Sequence, residues 1–298
     1  MSSAPSPLLT ATGPSTGSAD IRLIVTDMDG TLLDDAKRVP PGLWRTLAEL
    51  RWRGVVFSPA SGRQYATLAK EFAEVAEGMV FIAENGTYVV RDGVELSSDP
   101  LEPGVAAGVV RAVRQLVADG VDVGAVVCGK RSAYVERGDE AFLAEVRRYY
   151  AEHRVVEDAT ALDDDVIKVA LFDFGAAERT TAPALEPFTA TLPHSRLRSS
   201  GGIPKVVVSG EHWVDVMNGT ADKGAALRRL QHELGVTPAQ TMVFGDYLND
   251  LEMLDAADWS FAMANAHPDV IARARHLAPS NNDNGVLRTI ARVLGLEA

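Results

Sequence analysis

Cysteine is nearly absent from this chain: Cys128 is the single one among 298 residues. One thiol excludes a disulfide within the chain and fits a reducing, cytoplasmic setting. Its place in the apolar run VGAVVC suits a buried small hydrophobe better than a nucleophile. The six histidines show no paired spacing, so zinc chemistry has no support. No apolar stretch is long enough to span a membrane, and no G-x-S-x-G elbow or internal repeat is present. Basic residues are outnumbered 29 to 41, and the net charge of −12 comes with no basic run. That balance argues against nucleic acid or an anionic membrane surface as a partner. The first residues, 1–19, lack a basic segment followed by a hydrophobic core, so they do not read as a signal peptide. Their Ser, Thr, Pro, Gly and Ala content reads as a disordered tail.

The remaining composition is ordinary for a globular protein, and the length suits two compact domains. From Ile21 onward, apolar runs alternate with helical patterns. RLIVTD is nearly unbroken in its hydrophobicity, as expected of a parallel strand covered on both faces. PPGLWRTLAELRWRG reads as a helix that opens on prolines and closes on Gly54. VVFSPASGR gives a second strand, QYATLAKEFAEVAEG a helix, and MVFIAENG a third strand. This βαβαβ order predicts a doubly wound α/β core. Asp92-Gly93, between β-rich runs, predicts a hairpin.

From about Pro100 the pattern changes. One helix (GVAAGVVRAVRQLVADG) precedes the short strands VDVGAVVC and SAYVE, and a second helix (EAFLAEVRRYYAEH) precedes the strand VIKVALFDF. Another helix and a strand pair near RLRSS and KVVVS close the region. Adjacent strands with intervening helices predict an α+β unit on an antiparallel sheet. After HWVDVM the α/β alternation resumes to the end of the chain. The expected division is a core of residues 20–99 and 210–298, with residues 100–209 inserted into it. The acidic stretch from Glu157 to Asp165 reads as a solvated loop.

Four strand ends carry polar residues, and in open α/β sheets those ends form the ligand crevice. The first is Asp27-Met28-Asp29-Gly30-Thr31. Side chains two apart on an extended chain face one way, so Asp27 and Asp29 are expected at one spot. Two charges about 4 Å apart repel by roughly 4 kcal/mol at an effective dielectric near 20, so something must offset them. A calcium loop would need another Asp or Asn before the glycine and a helix upstream. The second, Ser61-Gly62-Arg63, offers either an N-cap or a hydroxyl and free N–H groups for a phosphate. In the third, Asp222-Lys223-Gly224, Asp222 explains itself as a cap, whereas Lys223 at the positive end of a helix dipole asks for an anion. The fourth, VFGDYLNDLEML, places Asp246 after a strand where it has no helix to cap, with Asn249 and Asp250 close behind. His267 before Pro268 marks a helix start.

Taken in this order, DMDGTLL, SGR, DKGAAL and GDYLNDLEML resemble the four motifs of the haloacid dehalogenase superfamily. The closing MANAHPDVIARARHLAPSNNDNGV resembles the tail of its Cof-type phosphatase branch, whose large α+β (type IIB) cap the insertion is similar to. Tyr247 departs from the small residue common there, at the rim of the site, and Ser61 replaces the more usual threonine but keeps the hydroxyl. The resemblance implies a Rossmann-like core and a phosphatase of small phosphomonoesters, such as sugar phosphates or phosphorylated cofactors. It implies Asp27 as nucleophile and Asp29 as general acid then base. It further implies Mg²⁺ held by the Asp27 carboxylate, the Asp29 main-chain carbonyl and Asp246, supported by Asn249 and Asp250. Ser61, Gly62, Lys223 and Asn249 would bind the phosphoryl oxygens. The partner expected is a small phosphorylated metabolite, and either a monomer or a homodimer is compatible. A phosphomutase of the same fold, distinguished by the absence of phosphate release, is one alternative. A catalytically silent phosphometabolite-binding regulator is another, though it would be expected to lack Asp27 or Asp29. Lys130, Arg196 and Arg198, in the basic stretches CGKRS and HSRLRSSGGIPK, are candidate substrate-facing groups of the insertion, with a solvated rim as the other reading.

Overall fold

The computed structural model describes residues 20–185 and 203–296. Five strands form a parallel sheet in the order β14-β13-β12-β1-β2. They are β1 (Leu23–Thr26), β2 (Val56–Pro59), β12 (Thr241–Gly245), β13 (Trp259–Met263) and β14 (His276–Ala278). All four residues of β1 are buried, which is why its sequence is a continuous apolar run rather than an alternating one. The helix Leu43–Trp52 buries Leu43, Leu47 and Leu50, spaced to share one face. Strand order reverses at β1, which pairs with β2 on one side and with β12 on the other. That reversal opens the crevice where Asp27 and Asp246 follow their strands.

The third expected core strand behaves differently. β3 (Val80–Ala83) meets the end of β2 only at a parallel bridge between Ala60 and Ile82. Its ladder is antiparallel with β4 (Tyr88–Arg91), which pairs with β5 (Val94–Ser98). The turn between β4 and β5 is the expected Asp92-Gly93, both left-handed at φ 51° and 76°.

A second sheet has the order β10-β11-β9-β6-β7-β8. Its strands are β6 (Val123–Gly129), β7 (Ala133–Val135), β8 (His153–Val155), β9 (Val166–Asp173), β10 (Lys205–Val208) and β11 (Trp213–Met217). Pairing is antiparallel as expected, except that β7 and β8 run parallel. β8 was not expected: it begins at His153, the last residue of the expected helix, which itself covers Glu140–Tyr149. One face of the sheet packs Val123, Val127, Val169 and Leu171 against Val105, Val109 and Val113 of the helix Pro103–Ala118. The opposite face packs Val126, Cys128 and Ala170 with Phe142 and Val146 of the helix Glu140–Tyr149. Period-two alternation along β6 and β9 produces both faces.

The expected return to the core at residue 210 divides this sheet, because β11 is hydrogen-bonded between β10 and β9. We therefore propose 100–217 as the extent of the inserted unit. The tail over residues 1–19 and the strand near RLRSS lie outside the described residues.

Candidate active site

β1 ends at Thr26, and Asp27 donates its backbone N–H to the Phe244 carbonyl at 3.0 Å, which fixes it beside the end of β12. The chain then turns. Gly30 sits at φ 85°, and a Cβ there would lie 2.4 Å from the Asp246 carboxylate. Only glycine fits that approach. The carboxylates of Asp27, Asp246 and Asp250 lie within 4.8 Å of one another. At that spacing each pair of charges repels by about 3–4 kcal/mol at an effective dielectric near 20.

Lys223 offsets part of this. Its buried ammonium donates to Asp27 Oδ1 at 2.5 Å and to Asp250 Oδ1 at 2.6 Å. Asp250 Oδ2 also accepts the N–H groups of Asp246 and Tyr247, so it is locked by three partners. Thr31 Oγ1 donates to Asp246 Oδ1 at 2.7 Å. Formally, three carboxylates and one ammonium leave two negative charges. The carboxyl of Asp246 is pushed up to about 7, by burial first and then by the charge of Asp250. Burial likewise pushes Asp27 well above the ordinary range, against the lowering influence of Lys223. An all-oxygen cluster with two surplus negative charges fits a divalent hard cation such as Mg²⁺.

Asp29 does not share that spot. The extended alternation expected from the sequence stops at Thr26, so its side chain leaves the cluster. Arg63 grips it with two bonds of 2.8 Å, and Lys37 adds an ion pair at 2.8 Å. Burial, the largest single influence, would raise its carboxyl, but the bonds and charges of Arg63 and Lys37 together outweigh it and hold it below the ordinary value. The arginine and lysine thus occupy its side chain, whereas the metal role expected of Asp29 concerns its main-chain carbonyl.

Lys223 meets the expected need for an anion with carboxylates of its own chain, while Asp222 caps the helix Lys223–Leu234 through Ala225 N–H. Ser61 is not an N-cap: the helix begins at Tyr65 after Gln64, and Ser61 Oγ accepts from the Arg63 N–H at 3.2 Å. His267 caps its helix as expected, through Asp269 N–H.

A cleft of about 790 Å³ opens onto Asp27, Asp29 and Asp246. Asp27, Asp29, Ser61, Gly62, Asp246, Tyr247 and Asn249 line it from the core side. Tyr149, Lys168, Phe172, Phe174, Trp213 and Asp215 line it from the inserted unit. Lys130 is not in that lining and instead pairs with Glu95 at 2.9 Å and Asp165 at 3.4 Å. Arg196 and Arg198 lie outside the described residues. Sequence reasoning missed Lys168, Asp215 and their core partners Glu84 and Asn85. The available signal was a lone lysine within the apolar run VIKVALF and a lone aspartate within WVDVM.

The model of the haloacid dehalogenase-like hydrolase family matches residues 24–290. A curated relative from Escherichia coli K12, the 5-amino-6-(5-phospho-D-ribitylamino)uracil phosphatase YbjI, is 35% identical over 93% of this chain and 98% of its own. Among solved structures, SMU.1108c from Streptococcus mutans UA159 superposes with a TM-score of 0.79 at 26% identity, covering 92% of this chain and 99% of the other. The subclass IIB sugar phosphatase BT4131 shares the fold, with a TM-score of 0.74 at 19% identity over 93% of this chain and 100% of its own. Among the described residues, no helix is long and apolar enough to cross a membrane.

Proposed function

The chain belongs to the haloacid dehalogenase-like hydrolase family as a phosphomonoester hydrolase, and on that premise we propose a Mg²⁺-dependent reaction through a phosphoaspartate at Asp27. The observation that carries this reading is the surplus of negative charge around Asp27, held in place by Lys223.

Mg²⁺ held by Asp27, Asp246 and Asp250, with the Asp29 carbonyl, would neutralise the carboxylates and polarise the phosphoryl oxygens. One oxygen of Asp27 attacks phosphorus, and the bond to the leaving oxygen breaks with its electron pair on that oxygen. Asp29 supplies the proton to it, then takes one from the water that attacks phosphorus and releases phosphate from Asp27. In the arrangement seen, Arg63 and Lys37 keep Asp29 ionised and ready as a base. Its turn as an acid requires the substrate's bridging oxygen to replace that pairing and the freed carboxylate to take up a proton from solvent, which it then passes to the leaving oxygen. Lys223, which leads its helix, presents the remaining ammonium hydrogen to a phosphoryl oxygen, alongside Ser61, Gly62 and Asn249.

The leaving group occupies the part of the cleft walled by Tyr149, Phe172, Phe174 and Trp213. A half-buried aromatic wall in a cleft of that volume suits a metabolite of sugar-phosphate or phosphorylated-cofactor size rather than a protein. The relative named for a phosphorylated ribitylaminouracil supports the same scale. Assay of free phosphate from a panel of phosphomonoesters tests the reading. Release with Mg²⁺ that disappears with EDTA is expected; undiminished release from metal-free protein, or none from any member, contradicts it.

A further inference from the structure

The inserted unit contacts the core at the turn Ser61–Gln64. Lys168, on β9, donates to the Gly62 carbonyl at 3.0 Å. The same ammonium pairs with Glu84 Oε2 at 2.6 Å and Asp215 Oδ1 at 3.4 Å. Lys168, Glu84 and Asp215 are each at most 2% exposed. Asp215 Oδ2 accepts from Asn85 Nδ2 at 2.6 Å, and Asn85 Oδ1 accepts from Asn249 Nδ2 at 3.1 Å. Two residues beyond Gly62, Gln64 exchanges two side-chain bonds of 2.9 Å with the backbone of Glu152.

The core residues that receive these contacts are in costly conformations. Glu84 and Asn85 are both left-handed, at φ 51° and 58°. Each costs of order 1–3 kcal/mol and persists only where surroundings over-determine it. Glu84 Oε1 has no hydrogen-bond partner among the described residues although it is buried. Gly86 follows at φ 91°, pressed so closely on Asp222 that a Cβ would lie 2.4 Å from its carbonyl oxygen. The main chain of 84–85 holds the turn directly, through Glu84 N–H to Arg63 O at 3.1 Å and Asn85 N–H to Ser61 O at 2.9 Å. The segment Glu84–Gly86 is thus a wedge among the Ser61 turn, the start of the Lys223 helix and Asn249.

We propose that Lys168 and Asp215 are positioning residues for the phosphate site, acting from the inserted unit to set Gly62 and Asn249 through this wedge. Docking of the inserted unit then completes phosphate binding in the core as well as enclosing the leaving group. The inference rests on the phosphatase reading above. When the unit lifts away, the Gly62 carbonyl loses its ammonium and Asn85 loses the carboxylate that orients its amide. The phosphate subsite loosens as the cleft opens, which couples product release to opening.

The test uses full-length protein, inorganic phosphate as the probe and p-nitrophenyl phosphate as the assay substrate. Lys168→Met should lower kcat and raise the inhibition constant for phosphate by about ten-fold or more, since small displacements of positioning groups cost that much. It also strands two buried carboxylates, so its melting temperature should fall. Glu84→Gln/Lys168→Met removes one charge of each sign and keeps the cluster's net charge. Recovery of the melting temperature with phosphate inhibition still weakened is the expected result. Asp215→Asn, which leaves the Lys168–Glu84 pair intact, should give the same change in phosphate inhibition with little loss of stability. Wild-type kcat and phosphate inhibition in the double variant, or in Asp215→Asn, overturns the proposal and leaves the phosphatase reading standing. A wild type that neither releases nor binds phosphate contradicts the underlying reading instead.

Discussion

Two places among the described residues bury a lysine between two carboxylates, and they differ in their third neighbour. Lys223 sits between Asp27 and Asp250, with Asp246 as a third carboxylate within reach. Lys168 sits between Glu84 and Asp215, with neutral Asn85 where a third acid would be. The first cluster carries two surplus negative charges and the second carries one. A buried cluster near balance holds pieces together, because each charge finds its partner inside the protein. One that exceeds its internal partners by two calls for a divalent cation and marks where chemistry happens. Both lysines stay charged, since burial, which would lower their pKa, is outweighed by the flanking carboxylates.

The sharpest way to break the comparison is Asp27→Asn. Turnover should fall by at least about 10⁴-fold, because an amide cannot form the phosphoaspartate. The fold should survive, since the amide oxygen still accepts from Lys223 and one crowded charge is gone. Activity and thermal melting together check this, and wild-type-like turnover would show the nucleophile to be elsewhere.

Metal binding comes next. At about a hundred-fold excess over its dissociation constant, Mg²⁺ should stabilise the wild type by about 2.7 kcal/mol. Asp246→Asn should lose most of that gain, read as the shift in melting temperature with and without Mg²⁺. An equal shift in both proteins would remove Asp246 from the site.

A smaller effect follows from pH in metal-free protein. The folded-state pKa of Asp246 is raised to about 7, above its unfolded value. Its contribution to stability is therefore fully present below about pH 4 and is lost as pH rises through 7. The melting temperature of the wild type relative to Asp246→Asn should fall over that window, and Mg²⁺ should flatten the trend. A difference independent of pH would contradict the crowding of charge inferred here.

The smallest expected effect lies on the inserted side. Trp213→Ala should change the ratio of kcat/KM between a compact and a bulky phosphomonoester by about ten-fold while preserving Mg²⁺ dependence. Equal losses on both substrates would mean that Trp213 does not contact the leaving group.

Much of the core was legible because parallel strands covered on both faces are unbroken apolar runs. Asp92-Gly93 announced its hairpin by residue type. MVFIA reads the same whether its neighbour is parallel or antiparallel, so the sequence did not reveal that β3 pairs mainly with β4. β8 was hidden because it is three residues long and begins where the helical pattern of YYAEH ends, and Trp213–Met217 was counted with the core for want of any composition change. In the site, Asp27, Asp246, Asp250 and Lys223 follow strands or open helices, where polar residues stand out. The interface cluster joins Gly62 to Lys168 and Asn85 to Asp215 across 106 and 130 residues, distances over which no local pattern connects partners. The exchange of Asp29 from Asp27 to Arg63 was equally hidden, since it depends on where β1 stops.

Covalent capture of the phosphoryl group on Asp27 tests the central claim most directly. Protein mixed with substrate and Mg²⁺, quenched in acid within one turnover and digested, should carry one phosphoryl mass on the peptide Leu23–Lys37, with fragment ions assigning it to Asp27. The same peptide from Asp27→Asn should be unmodified. Phosphate released by the wild type with no label on that peptide, or with the label on another residue, would contradict it.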